Sequence, residues 1–213
     1  MDRLVFVDTE TTGLGYKTER VLEVACIEVV DRKTTGEQIH QYINPEKEVG
    51  EGAFRVHGIS WESVKHEPLF AECADSLIAM LRGGTFVAHN APFDMGFLNE
   101  EFRRAGKDFQ IGRDCEVLDT LKLAKSIYPG QKNSLDALCN RLSIDRSSRV
   151  LHGALLDTQL LVQVYIAMTQ KQESMKLAKD KGLSVTGSVE YVQASITEEE
   201  LGSHDRYMEN LGS

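Results

Sequence analysis

Residues 4–14 read LVFVDTETTGL. Four apolar residues, Leu4 to Val7, run into a charged cluster and then a glycine, as a short buried strand does when it reaches the edge of a sheet. Asp8 and Glu10 stand two apart on that extended segment, so both side chains leave the same face. Two carboxylates converging at a strand end repel each other unless cations lie between them, and the arrangement suits a divalent metal. Working outward, Val21 to Val30 (VLEVACIEVV) is β-branched with partial alternation, and Ile39 to Ile43 alternates again after the Thr35-Gly36 break. Three consecutive strands joined by short turns predict an antiparallel meander.

The period then changes. Phe70, Cys73, Ala74, Leu77, Ile78 and Leu81 recur at three and four, which predicts an amphipathic helix closed by Gly83-Gly84, with a fourth strand at Thr85 to Ala88 directly after it. A helix follows around Asp94 to Ala105, then a fifth strand near Cys115 to Val117 and a helical pattern from Leu118 to Ile127 that stops before Pro129. Asn133 or Ser134 can cap a helix over Ser134 to Leu142, and a longer helix runs from about Ala154 to Thr169. The order predicts an α/β fold, a mixed five-stranded sheet flanked by helices. Beyond Met175 the pattern dissolves. Residues 178–197 read as a linker, and Thr197-Glu198-Glu199-Glu200 as a further helix start. The domain therefore spans 1–175, with a flexible C-terminal tail over 176–213.

With 41% hydrophobic and 27% charged residues, a chain of 213 residues can bury the core of one domain, and a fibre or a chain disordered throughout is excluded. The net charge of −9 argues against a protein that grips a phosphate backbone by bulk electrostatics, which rests on clustered Lys and Arg. More than half of that charge lies in residues 182–213, which hold six acidic side chains and one basic. Cys26, Cys73, Cys115 and Cys139 form no Cys-x-x-Cys pair, so neither a zinc site nor a disulfide framework is expected. No signal peptide or membrane span is readable, and reduced thiols fit a cytoplasmic location.

Asp94 lies in VAHNAPFDMGFL, just past the fourth strand, where a chain turning into a helix exposes a side chain at the sheet's edge. His152 and Asp157 lie in HGALLD. Five residues apart on one helix they would diverge in angle, so His152 is expected on the loop before the helix and Asp157 on the helix itself. Asp157 is surrounded by Leu155, Leu156, Leu160 and Leu161, and burying a lone charge there is costly unless it serves a purpose.

Taken together, DTETTG, HNAPFD and HGALLD resemble the three motifs of the DEDDh 3′–5′ exonuclease family, matching residue by residue at Asp8, Glu10, Asp94, His152 and Asp157. The likeness covers about residues 3 to 175 and, with FRVHGI and YPGQKNSLDALCNR, is greatest to the branch that proofreads for bacterial replicative polymerases. It implies a ribonuclease H-like fold and removal of mismatched 3′-terminal nucleotides from DNA by two-metal hydrolysis. Asp8 would bridge two divalent ions, Mg²⁺ or Mn²⁺, with Glu10 and Asp157 on the nucleophile side and Asp94 reaching the second. His152 would be the general base. By the same likeness Leu14, Val56, His57, Asn90 and Phe93, with Asp8, Glu10 and Asp157, would bind one or two unstacked nucleotides of a single-stranded or frayed 3′ end.

The tail adds partners by the same route. Gln172 to Leu177 resembles a sliding-clamp-binding peptide, with Leu177 where an aromatic residue commonly ends it. Residues 191–213 resemble the segment that docks on the catalytic (alpha) subunit of DNA polymerase III. No membrane contact is implied. Two other readings remain open: an RNA-trimming exoribonuclease of the ribonuclease T or oligoribonuclease type, and a non-catalytic scaffold subunit.

Overall fold

The computed structural model describes residues 3–147 and 151–180, with side chains up to residue 170. Strands β1 (Arg3–Thr11), β2 (Val21–Val30) and β3 (Lys33–Tyr42) form the antiparallel meander. Helices α1 (Glu51–His57), α2 (Trp61–Val64) and α3 (Phe70–Leu81) follow, then β4 (Thr85–Ala88), α4 (Pro92–Arg104), β5 (Glu116–Asp119), α5 (Thr120–Ile127), α6 (Leu135–Leu142) and α7 (Ala154–Asp180). The sheet order is β3-β2-β1-β4-β5, with β1, β4 and β5 mutually parallel. This is the mixed, helix-flanked sheet that the sequence predicts.

Three details differ from the sequence reading. The β2–β3 turn is made by Asp31 and Arg32, both at positive φ (48° and 67°), and Thr35-Gly36 falls inside β3, at a shift of its register with β2 where Gly36 has a φ of 96°. A two-residue turn with both residues left-handed matches the twist of a hairpin. Helices α1 and α2 are absent from the sequence reading: Gly50 leads α1 without a side-chain cap, and α2, capped by the Ser60 hydroxyl, is only four residues long. Finally, α7 continues past Thr169 to Asp180, through a Gln-, Lys-, Glu- and Ala-rich run of good helix formers. Residues 1–174 make one compact unit, and of Met175–Ser213 only the backbone of the end of α7 is described. The clamp-like peptide lies on that helix with its side chains outside the described residues. The linker and docking segment over 181–213 lie outside them altogether.

The pleat sorts β1 into two faces. Val5 and Val7 join Val24, Cys26, Phe86 and Ala88 beneath α3 and α4, while Leu4 and Phe6 join Ile27, Val29 and Val87 against Leu161 and Val162 of α7. Asp8 and Glu10 continue the second row. They therefore emerge on the α7 face, at the carboxyl ends of β1 and its parallel neighbour β4, the edge where open α/β sheets bind ligands. Phe86 is fully buried at the centre of the sheet. Phe86→Ala is expected to lower unfolding stability by about 3–5 kcal/mol, measured by chemical denaturation.

Candidate active site

Each acidic residue reaches the sheet edge from a different element. Glu10 closes β1 and is buried. Asp8 sits one pleat earlier, half-buried. Asp94 lies in the first turn of α4, and its Oδ1 accepts the Thr9 backbone N–H at 3.1 Å and the Thr9 hydroxyl at 2.8 Å. Those two bonds pin a buried carboxylate to β1, between the two acids of the strand. Asp157 stands in the first turn of α7 and is 3% exposed. The Leu-rich α7 is seated by two buried rows, Leu161 and Val162 on the sheet and Leu160 and Val164 against Ala124 of α5 and Leu138 of α6, and Asp157 at its first turn is carried to the sheet edge.

His152 precedes α7 on the loop, as its spacing from Asp157 predicts, and is exposed. Its Nδ1 lies 3.1 Å from Asp157 Oδ2, and its backbone N–H donates to Val56 O at 3.2 Å. One ligand atom each from Glu10, His152 and Asp157 lie within 4.8 Å of one another.

The electrostatics are those of a cation site. Burial pushes the Asp8 carboxyl well above the usual carboxylate range, and Asp94, Asp157, Glu10 and Glu23 push it further. Burial raises Glu10 to about 8, opposed by His152 and reinforced by Asp157, Glu23 and Asp94. Burial likewise raises Asp94 to about 7, against the two bonds from Thr9. Carboxylates crowded in this way are stabilised as anions by positive charge, and the all-oxygen donors suit a hard divalent cation. The residues fit the divalent ions that the family resemblance implies.

A cleft of about 600 Å³ opens beside Glu10 and is lined by Leu14, Val56, His57 and Phe93, four of the five residues expected to hold nucleotides. Leu14 is 88% exposed at its mouth. Phe93 stacks on Phe97 with centroids 4.9 Å apart. His57 is buried with both ring nitrogens engaged: Nε2 donates to Thr11 O (3.2 Å) and Nδ1 accepts from Ile59 N–H (3.0 Å), a neutral ring whose pKa burial lowers. His57 thus anchors α1 beneath the end of β1 as well as lining the cleft. Asn90 does not line this cleft. It holds a left-handed turn (φ 69°) at the head of α4, where its carbonyl accepts the Phe93 N–H. Because Leu14 is so exposed, Leu14→Ala is expected to leave stability within about 0.5 kcal/mol. It should raise KM on single-stranded DNA about tenfold, as expected for a residue that contacts a base.

Two residues at the site had no place in the sequence reading. Thr9 reads as a turn residue, yet it holds Asp94. Glu23 reads as one polar step in a β-branched strand, yet it is buried facing Glu10. A charge at an inward position of VLEVACIEVV was its signal.

Residues 5–165 match the Exonuclease family. The DNA polymerase III epsilon subunit of Escherichia coli (strain K12) is 45% identical over 184 residues, covering 84% of this chain and 76% of its own. That of Pasteurella multocida (strain Pm70) is 40% identical over 199 residues, covering 91% and 79%. Among solved structures, Exonuclease X in complex with 5′-overhanging duplex DNA aligns with a TM-score of 0.62 at 26% identity, over 81% of this chain and 93% of that one. E. coli Exonuclease I in complex with a dT13 oligonucleotide shares the fold, with a TM-score of 0.72 at 18% identity over 83% of this chain, which spans 43% of its length. No described helix is long and apolar enough to cross a membrane. With the motifs, the mixed sheet and the cluster of carboxylates in place, the chain belongs to the exonuclease family, in the group formed by the DNA polymerase III epsilon subunits.

Proposed function

We propose that the protein is the proofreading 3′–5′ exonuclease of a replicative DNA polymerase III, hydrolysing the terminal phosphodiester of DNA and favouring frayed, mismatched ends. The observation that carries this reading is the grouping of Glu10, His152 and Asp157 within ligand distance. They stand beside an apolar cleft in a chain that is 40–45% identical to epsilon subunits.

Asp8, Glu10, Asp94 and Asp157 would hold two divalent ions, magnesium or manganese, which when bound supply charge stabilisation on the phosphate and a more acidic water. The chain's own residues do the rest. His152 accepts the proton of the attacking water on its ring and, being exposed, returns it to solvent between turnovers. The Asp157 carboxylate 3.1 Å from Nδ1 orients that ring and stabilises it when charged. Leu14, Val56, His57 and Phe93 take the terminal base by stacking and wedging, which reads no sequence, with Asn90 at the turn beside them. An end already unpaired enters at least cost, and this is the basis of preference for a mismatch.

The acidic body fits a subunit that borrows its hold on DNA. Metals supply local positive charge, while the C-terminal tail docks on the polymerase catalytic (alpha) subunit and Gln172 to Leu177 engages the sliding clamp, all in the cytoplasm. The deciding experiment follows hydrolysis of primer-templates with a matched or mismatched 3′ end, and of an RNA oligonucleotide of the same sequence, with Mg²⁺ and with chelator. Faster loss of the mismatched DNA end, abolished by chelator, is expected. Faster hydrolysis of the RNA would sink the reading. A pull-down with the alpha subunit, comparing the full chain with one truncated after Lys181, tests the tail.

A further inference from the structure

Glu23 lies on β2 with its side chain 3% exposed, on the face of the sheet that α7 covers. A carboxylate buried that deeply is destabilising unless its oxygens are bonded. Both are. Oε2 accepts the backbone N–H of Ala154 at 3.1 Å, and Oε1 lies 2.7 Å from Nε2 of His40 on β3. Ala154 is the first residue of α7, where backbone N–H groups have no partner within the helix. The residue before it is Gly153, which has no side chain to serve as a cap. The helix start therefore takes its acceptor from a strand 131 residues earlier in the chain.

That acceptor sits where the active site is most sensitive to position. The Asp157 N–H donates to Gly153 O at 2.9 Å, so Asp157 belongs to the same first turn that Glu23 holds. His152 leaves the chain two residues before Ala154. Glu23 is also the cross-strand partner of Glu10. Without its two bonds its carboxylate could turn toward the acidic cluster instead of toward the helix.

We infer that Glu23 is a positioning residue of the active site: by bonding the first N–H of α7 it sets the depth at which Asp157 meets Glu10 and the point from which His152 reaches the cleft. His40 steadies it from the edge strand. The inference rests on the function proposed above and adds a residue to it.

Two substitutions separate reach from charge. Glu23→Gln keeps an acceptor of the same length, and Glu23→Asp keeps the charge but withdraws it by one methylene. Manganese affinity is measured by calorimetry without DNA, and kcat and KM on single-stranded DNA are measured in parallel. Glu23→Asp is expected to weaken manganese binding about 10- to 100-fold, the usual effect of losing a residue that orients a ligand, and to lower kcat by a similar factor. KM for DNA should stay within about threefold, since the base contacts are untouched, and Glu23→Gln should stay within about threefold of wild type in all three. Wild-type values for Glu23→Asp, or equal damage from both variants, would overturn the inference. Should both fail to fold, His40→Ala, whose ring is 30% exposed, replaces them. It is expected to weaken manganese binding by about three- to tenfold, a partial form of the same loss, and unchanged affinity there would overturn the inference too. If the wild-type chain itself neither binds manganese nor cuts DNA, the functional proposal fails instead.

Discussion

Asp8→Ala is expected to abolish hydrolysis of single-stranded DNA, lowering kcat at least about 10³-fold, because the several kcal/mol of charge stabilisation that divalent ions would supply is lost with them. Asp8 is the acid on which the other carboxylates converge: Asp94, Asp157, Glu10 and Glu23 all act on its carboxyl. The same substitution relieves crowding, because a buried carboxyl surrounded by like charge is replaced by a small apolar side chain. Metal-free Asp8→Ala is therefore expected to unfold at a temperature no lower than wild type. Wild type should gain stability when manganese is added, since a ligand that binds only the folded state stabilises it, and the variant should gain nothing. A manganese-dependent rise in Tm that survives in Asp8→Ala would show that the ions sit elsewhere.

His152→Ala is expected to have the second largest effect, a loss of about 10²–10⁴-fold in kcat, the usual contribution of a positioned general base. The structure makes the test sharper than the sequence could. His152, Glu10 and Asp157 present atoms within 4.8 Å of one another, so an imidazole at this point is placed either to accept a proton or to bind a cation. The two roles separate on metal affinity. A base that is exposed and held by the Val56 carbonyl through its backbone leaves manganese binding within about threefold when truncated, whereas loss of a direct ligand costs much more. Calorimetry on His152→Ala with manganese decides between them, and a large loss of affinity would move His152 from base to ligand.

Much of the fold is legible because it is periodic. The β-branched run Val21–Val30 and the buried row Phe70, Ala74, Leu77 and Leu81 of α3 announce strand and helix by their own spacing. Ser134 caps α6 with a side chain that the chain displays openly, while Asp119, which ends β5 and caps α5, falls inside the helical pattern that the sequence suggests. Helices α1 and α2 escape because they are short, and α1 is also held from outside: Gly50 donates to the Thr12 carbonyl, and His57 bonds Thr11. Thr35-Gly36 misleads because a glycine at positive φ in an irregularity of an edge strand looks the same in sequence as a glycine in a turn, while Asp31-Arg32 carries no glycine to mark the real one.

For the site, sequence alone determined the chemistry available. The residue types, their placement at strand ends and helix starts, and the pairing of Asp8 with Glu10 on one face all follow from local geometry, since a pleat alternates whatever it packs against. Tertiary structure decided how those groups act on one another. Burial and mutual repulsion raise the carboxyls of Asp8, Glu10 and Asp94, and each depends on α4 and α7 closing over the sheet edge. Thr9 reaching Asp94 and Glu23 reaching the head of α7 depend on the same closure. Desolvation and Coulomb interaction are set by distance through space, and no spacing along the chain encodes them.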